Sequence, residues 1–289
     1  MATDARVGIL EKEEYLNKAR FMYAPVILAL QNKEFHDVDF SRAKFKEYNV
    51  EKDSIVAEIL TKEATEKAHI KARGMEKTFN IFLKGAKFIK SLNGEGVIDL
   101  QKVHNRVLRD YMIIFDKDAL HGDGGNNGLL TSNDPFYVTN ASHTIPAASG
   151  NGFNRIQDVN ALVNDLKAQV SAATSSSDVK IFVYGADLIK FMGSITQDNE
   201  TTVRDLLKRA YPEAMWIEIP SLALNAGDGN GFVVVSDDAT TLHMTSEPTI
   251  KRQGTNEEDE YYYANYVTGS VQVTPDLEGA IIKQAVTFA

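Results

Sequence analysis

The chain has 289 residues, enough to bury one large core or two modest ones. With 43% hydrophobic and 25% charged residues its composition is that of a soluble globular protein, no apolar run is long enough to span a bilayer, and the polar start "MATDARVGILEKEEY" reads as no signal peptide. Cysteine is absent, which excludes disulfides, thiolate metal sites and a cysteine nucleophile, and a net charge of −9 argues against tight wrapping of nucleic acid, which is driven by Lys and Arg.

In chain order, Val7 to Ala29 read as a helical N-terminal arm. Leu10, Tyr15, Leu16, Phe21 and Met22 recur at roughly helical spacing, and Pro25 is expected to break or kink the run. Residues 40–92 carry many charges of alternating sign. "NVEKDSIVAEIL" is rich in β-branched residues and suits an extended strand, "EKTFNIFLKGAKFI" suits a return strand, and the polar "TKEATEKAHIKARG" between them suits a charged tip. Glu, Lys and Ala also favour helix, so the residues alone leave a two-stranded and a helical hairpin both open. The strongest helix runs from Ile98 to Leu120, with Asp99 at its N-cap and Leu100, Val103, Val107, Tyr111 and Ile114 as one apolar stripe. "HGDGGNNGLL" (His121–Leu130) follows at once. Asn154 to Gln169 make a second amphipathic helix through Ile156, Val159, Leu162, Val163 and Leu166. "VKIFVYG", "AMWIEIPSL" and "GFVVVSD" read as buried strands, "ADLIKFMGS" and "TTVRDLLKRAYP" as helices, and the tail from Tyr261 as further strands.

The glycine-rich loop is the first chemical candidate. A phosphate-binding loop needs a Lys after the glycines and a strand before them, and neither is present. A calcium loop comes closer, because Asp123, Asn127, Gly128 and Asp134 fall at positions one, five, six and twelve. Position three is Gly125, which has no side-chain oxygen. A turn that stops the helix fits better: Gly122, Gly124, Gly125 and Gly128 supply the left-handed and tight conformations a helix end needs. "NAGDGNG" (Asn225–Gly231) is read as a hairpin-like turn between two strands rather than a cation site at Asp228. The six histidines show no metal-ligand spacing, no nucleophile elbow is present, and His121 beside Asp123 suits a helix end. Neither a catalytic residue nor a cofactor or metal site is expected. The lysines of the excursion, interleaved with Phe79, Phe82 and Phe88, could form a nucleic-acid face. Glu58, Glu63, Glu66 and Glu76 make a mixed-sign, subunit-facing surface the better reading.

The order of these segments resembles the major capsid proteins of tailed bacteriophages that share the HK97 fold. The resemblance covers nearly the whole chain and is carried best by Asp99–Leu130 and by Tyr261–Phe288, with its "GSVQVTPDLEGAIIKQAVTF". It implies an α+β fold with an N-terminal arm over 1–34 and an extended two-stranded E-loop region over 35–97. A P-domain with its long spine helix would span 98–153, completed by strands from about 232–275. An α/β A-domain would span 154–231, completed by C-terminal strands to 289.

The implied function is structural and not enzymatic: self-assembly as pentamers and hexamers into an icosahedral shell around double-stranded DNA, in the virion, after assembly in the host cytoplasm. The implied partners are many copies of the chain, a separate scaffolding protein, a portal, and DNA held weakly and non-specifically; no membrane is involved. The residues expected to meet a neighbouring subunit are Lys62, Glu63, Glu66, Lys67, Lys71 and Arg73, at the tip of the E-loop. Some members crosslink Lys to Asn between subunits, but no partner Asn or catalytic Glu is matched here, so that activity is not carried over. Other readings are an encapsulin-type nanocompartment shell, a metal-assisted α/β enzyme with a site near Asp123 or Asp228, and a monomeric ligand-binding α/β protein.

Overall fold

The computed structural model describes residues 24–35, 60–61, 66–72, 75–81, 84–91, 100–123, 125–146, 156–173, 178–195, 201–244, 249–255, 261–268, 270–276 and 278–289. For the described residues within 60–91 and 249–268, and for 100–108, 111, 156–157, 167 and 170–173, the backbone alone is described. Most of the arm reading (1–23) and most of "NVEKDSIVAEIL" lie outside the described residues.

A five-stranded mixed sheet forms the centre. Its strands are β6 (Tyr137–Ile145), β7 (Val179–Tyr184), β8 (Met215–Glu218), β9 (Gly231–Ser236) and β14 (Ile281–Phe288), in the order β6-β14-β9-β7-β8. β9 runs antiparallel to both its neighbours, and the two outer pairs, β6/β14 and β7/β8, are parallel. Every residue of β7 and β9 is buried, so these strands read as continuous apolar runs.

Alternation along the strands divides the sheet between two cores. Ile181, Val183, Phe232, Val234, Ile282 and Val286 face one side. There they pack with Val159, Leu162, Val163 and Leu166 of α3 (Ile156–Ala173), Leu188 of α4 (Ala186–Met192) and Leu207 of α5 (Val203–Ala210). Phe182, Tyr184, Val233, Val235 and Ile281 face the other side. Their partners are Met112, Phe115, Ala119 and Leu120 of α2 (Leu100–His121), and α1 (Pro25–Ala29). The register confirms the division, since cross-strand partners such as Ile181↔Val234 and Phe182↔Val233 fall in the same core. α5 starts at a capping box, in which the Thr202 hydroxyl accepts from Asp205 N at 3.2 Å.

A small sheet closes the second core. β10 (Thr240–Met244) lies between β1 (Lys33–Phe35), which runs parallel to it, and antiparallel β13 (Val271–Pro275). A four-stranded antiparallel sheet, β11-β12-β5-β2, joins β11 (Thr249–Thr255) and β12 (Tyr261–Thr268) to β5 (Lys84–Ser91) and β2 (Leu60–Thr61). β3 (Glu66–Ala72) and β4 (Met75–Ile81) pair only with each other among the described strands.

Pro25 stands at the first position of α1, where its missing N–H costs nothing, and Ala24 before it is not helical; the rest of the arm run lies outside the described residues. Three sequence readings are corrected. Residues 66–72, read as part of the polar tip, are strand β3 paired antiparallel with β4, and the return strand is divided into β4 and β5. Pairing outweighs the helical propensity of Glu, Lys and Ala here. The second half of α2 buries Met112, Phe115, Ala119 and Leu120, while Ile114 of the stripe read from the sequence is only half-buried; the side chains of Leu100, Val103, Val107 and Tyr111 lie outside those described. "NAGDGNG" is no hairpin turn: β8 and β9 both pair with β7, and the loop between them crosses from one side of β7 to the other.

Candidate functional site

The glycine-rich loop folds back on the end of α2. Gly122 N donates to Asp118 O at 2.7 Å, the last bond of the helical ladder, and Gly122 then leaves the helix at φ +74°. A Cβ at Gly122 would lie 1.9 Å from Asn126 O, and one at Gly128 would lie 2.4 Å from Gly122 N. Only glycine allows both the dihedral and the close approach. The returning chain satisfies the helix carbonyls: Leu129 N donates to Ala119 O at 2.9 Å and Leu130 N to Leu120 O at 2.6 Å. Asn127 ties the loop to β13, its carbonyl accepting from Val273 N at 3.0 Å. Gly125 also has positive φ, +92°, and Gly124 lies outside the described residues. Asp134, the twelfth position of the calcium reading, caps its own turn by accepting from Phe136 N at 2.9 Å. Among the described residues no group of three or more acids and histidines converges as a metal site would require.

The crossing loop comes down on the same end of α2. His121 Nε2 lies 2.8 Å from Asp228 Oδ2, and Nδ1 lies 2.9 Å from Lys117 O. Asp228 Oδ2 also accepts from Asn225 N at 2.5 Å. Beneath them Tyr184 is fully buried, and burial, with the Asp228 carboxylate second, pushes its hydroxyl above the usual phenol range. Tyr137 is shifted the same way, by burial first and by Tyr184 second, and its hydroxyl donates to Leu129 O at 2.6 Å. Lys283 Nζ donates to Leu130 O at 2.8 Å and lies 5.9 Å from the centroid of the Tyr184 ring. Burial lowers the pKa of Lys283, and Asp228 opposes that shift. Helix end, returning loop and crossing loop are thereby knotted together, with both nitrogens of His121 engaged. Asp228 also borders a cleft of about 340 Å³ that Asp187, Asn230, Val286 and Phe288 help to line.

The other candidate surface is the excursion. Of the six residues expected at its tip, Glu66, Lys67 and Lys71 lie on β3, and Lys62, Glu63 and Arg73 lie outside the described residues. Cross-strand register places Glu66 with Ile81, Ala68 with Phe79, Ile70 with Lys77, and Ala72 with Met75 on one face of the ribbon, six apolar residues beside Glu66 and Lys77. Lys67 with Asn80, His69 with Thr78, and Lys71 with Glu76 share the other. One face is therefore mainly apolar and the opposite face polar. The sequence reading missed this two-faced pattern, because it depends on register.

A central mixed sheet with helices on one side and one long helix on the other, joined to an extended antiparallel excursion, defines a capsid-type fold. The chain is similar over 87% of its length, at a TM-score of 0.55 and 13% identity, to 95% of a chain from the capsid of the Myoviridae phage XM1. It matches the capsid of an empty GTA particle over 92% of its own length and 90% of that chain, at a TM-score of 0.53 and 8% identity. A virus-like particle from Pyrococcus furiosus matches at a TM-score of 0.50 and 10% identity, over 94% of this chain and 98% of that one. No family model and no curated protein matches the sequence. The fold is that of the tailed-phage capsid proteins of HK97 type, the family the sequence resembles.

Proposed function

We propose that this chain is the major subunit of a viral shell and assembles as pentamers and hexamers around double-stranded DNA. In this reading residues 1–34 are the arm, 35–97 the E-loop region, 98–153 the P-domain around α2, and 154–231 the A-domain, the last two completed by the C-terminal strands. Scaffold, portal and weakly held DNA are its further partners. The role is structural rather than catalytic.

The carrying observation is the β3–β4 ribbon. It is a two-stranded sheet with one mainly apolar face, and two strands alone are marginal in water. A neighbouring copy supplies the missing surface. Charge supports the same partner: residues 60–91 hold eight Lys or Arg against three Glu, a net +5, which leaves −14 on the rest of the chain. A basic excursion and an acidic body attract between copies and set register. Lys67 and Lys71, with Lys62, Glu63, Glu66 and Arg73, are the proposed contact residues.

Replacing Ile70 or Phe79 with Asp puts a charge on the apolar face of the ribbon. The variant subunit keeps its cooperative unfolding and loses assembly. Shells of normal size and yield from both variants would overturn the assignment. Similarity to the Pyrococcus furiosus particle keeps an encapsulin-type compartment as the second reading. Nuclease-protected DNA in purified particles supports the viral reading, and a protein cargo without DNA supports the compartment.

A further inference from the structure

Asp116 stands on α2 where the sequence "YMIIFDKDAL" places an acid between apolar residues, and it is 0% exposed. Its Oδ1 accepts from Val26 N at 2.9 Å and from Ile27 N at 3.0 Å. These are free donors of the first turn of α1, and the residue before that helix, Ala24, makes no side-chain cap. The long helix therefore caps the short one across 90 residues of sequence. Asp116 Oδ2 is buried and has no hydrogen-bond partner among the described residues.

Among the described residues, the elements that pack most closely along α2 bring no compensating cation. α1, the turn Ser221–Ala223 and β13 carry no ionisable side chain, and the sequence of β12 holds no Lys, Arg, His, Asp or Glu. On α2 itself Arg109 pairs with Asp110 at 2.8 Å, and Lys117 and Asp118 stand next in the chain and are half-buried. Beyond α1 the segment has separate attachments. Asp237, 2.6 Å from the buried Lys180 ammonium, accepts from Gln31 N at 3.1 Å, and Glu34 of β1 lies 3.3 Å from His243.

We propose that Asp116 is a pH-gated latch: the neutral carboxyl holds α1 against the body, and ionisation releases α1 and uncovers the apolar face formed by Met112, Phe115 and Ala119. Burial raises the Asp116 pKa to about 8 from 3.8, against the opposing pull of the two N–H groups. The folded pKa lies above the unfolded value. The contribution to attachment is therefore complete below about 4 and is lost as pH rises through about 8.

The test is amide hydrogen exchange of Val26, Ile27, Leu28 and Leu30 in the full chain from pH 5 to 9, corrected for intrinsic exchange. Protection in the wild type falls by about tenfold or more between pH 6 and 8. In Asp116→Asn, which keeps an acceptor oxygen and cannot ionise, it stays level. Glu34, His243, Asp237 and Lys180 are common to both proteins, so their titration cancels in the comparison. Identical pH courses would overturn the latch. A direct carbon-13 titration of the wild-type Asp116 carboxyl, which needs no variant, decides the point if Asp116→Asn does not fold. A midpoint near 8 supports the latch, and one near 4 sinks it.

Discussion

At Gly122 a single hydrogen atom in place of a methyl group decides where the long helix ends. The backbone has φ +74°, and an added Cβ would lie 1.9 Å from Asn126 O. Gly122→Ala therefore costs about 1–3 kcal/mol in strain, and more if the loop cannot shift. Gly227 is the control: a Cβ there meets nothing within 4 Å. Gly227→Ala is expected within about 0.5 kcal/mol of the wild type. Urea unfolding compares the two, and equal midpoints would show that the turn does not depend on Gly122. Gly122 was legible as a helix stop because helix ends favour a left-handed residue. The contact between His121 and Asp228 was not legible, since 107 residues separate the partners and neither sits in a motif. Asp116 did leave a signal, an acid inside an apolar run, but the sequence does not say which donors it serves.

Within the central sheet, β7, β9 and β14 each join a different core with each face, and β9 is the middle strand of the five. Phe232 is fully buried on the side of α3, α4 and α5, with its ring 6.5 Å from that of Trp216. Phe232→Ala costs about 3–5 kcal/mol, read as a lower urea midpoint at unchanged slope. Phe35 is 59% exposed on the short strand β1, and its replacement by Ala changes the isolated subunit by less than about 0.5 kcal/mol. A Phe232→Ala effect no larger than that of Phe35→Ala would contradict the two-core description. Helices α3, α4 and α5 and strands β7, β8, β9 and β14 were readable, because a one-sided stripe or a continuous apolar run leaves a periodic mark. β1, β6 and β10 were not picked out. β1 has only three residues, β10 carries Thr240, Thr241 and His243 in place of an apolar run, and β6 is a sheet edge whose exposed residues break the apolar run. β3 was missed for a different reason: Glu66, Lys67 and Ala68 favour helix locally, and only pairing with β4 extends them.

Across the whole chain, charge and apolar surface are distributed unevenly. The excursion is net positive, the remainder is strongly acidic, and the mainly apolar face of β3–β4 belongs to two strands that pair with no third among those described. The proposed assembly gives both surfaces a second copy of the chain as partner. Exposed charges attract within about 10 Å at moderate ionic strength. Assembly driven by the excursion is therefore expected to slow as salt rises, while burial of its apolar face persists. Light scattering during assembly across a salt series reads this directly, and a rate indifferent to salt would remove the electrostatic part of the account. The most direct test of the central claim is electron microscopy of the purified full-length chain, paired with sedimentation velocity on the same sample. The account predicts closed shells, or rings and sheets of five and six subunits. A monodisperse 32.0 kDa species under every condition, including co-expression with neighbouring genes, would contradict it.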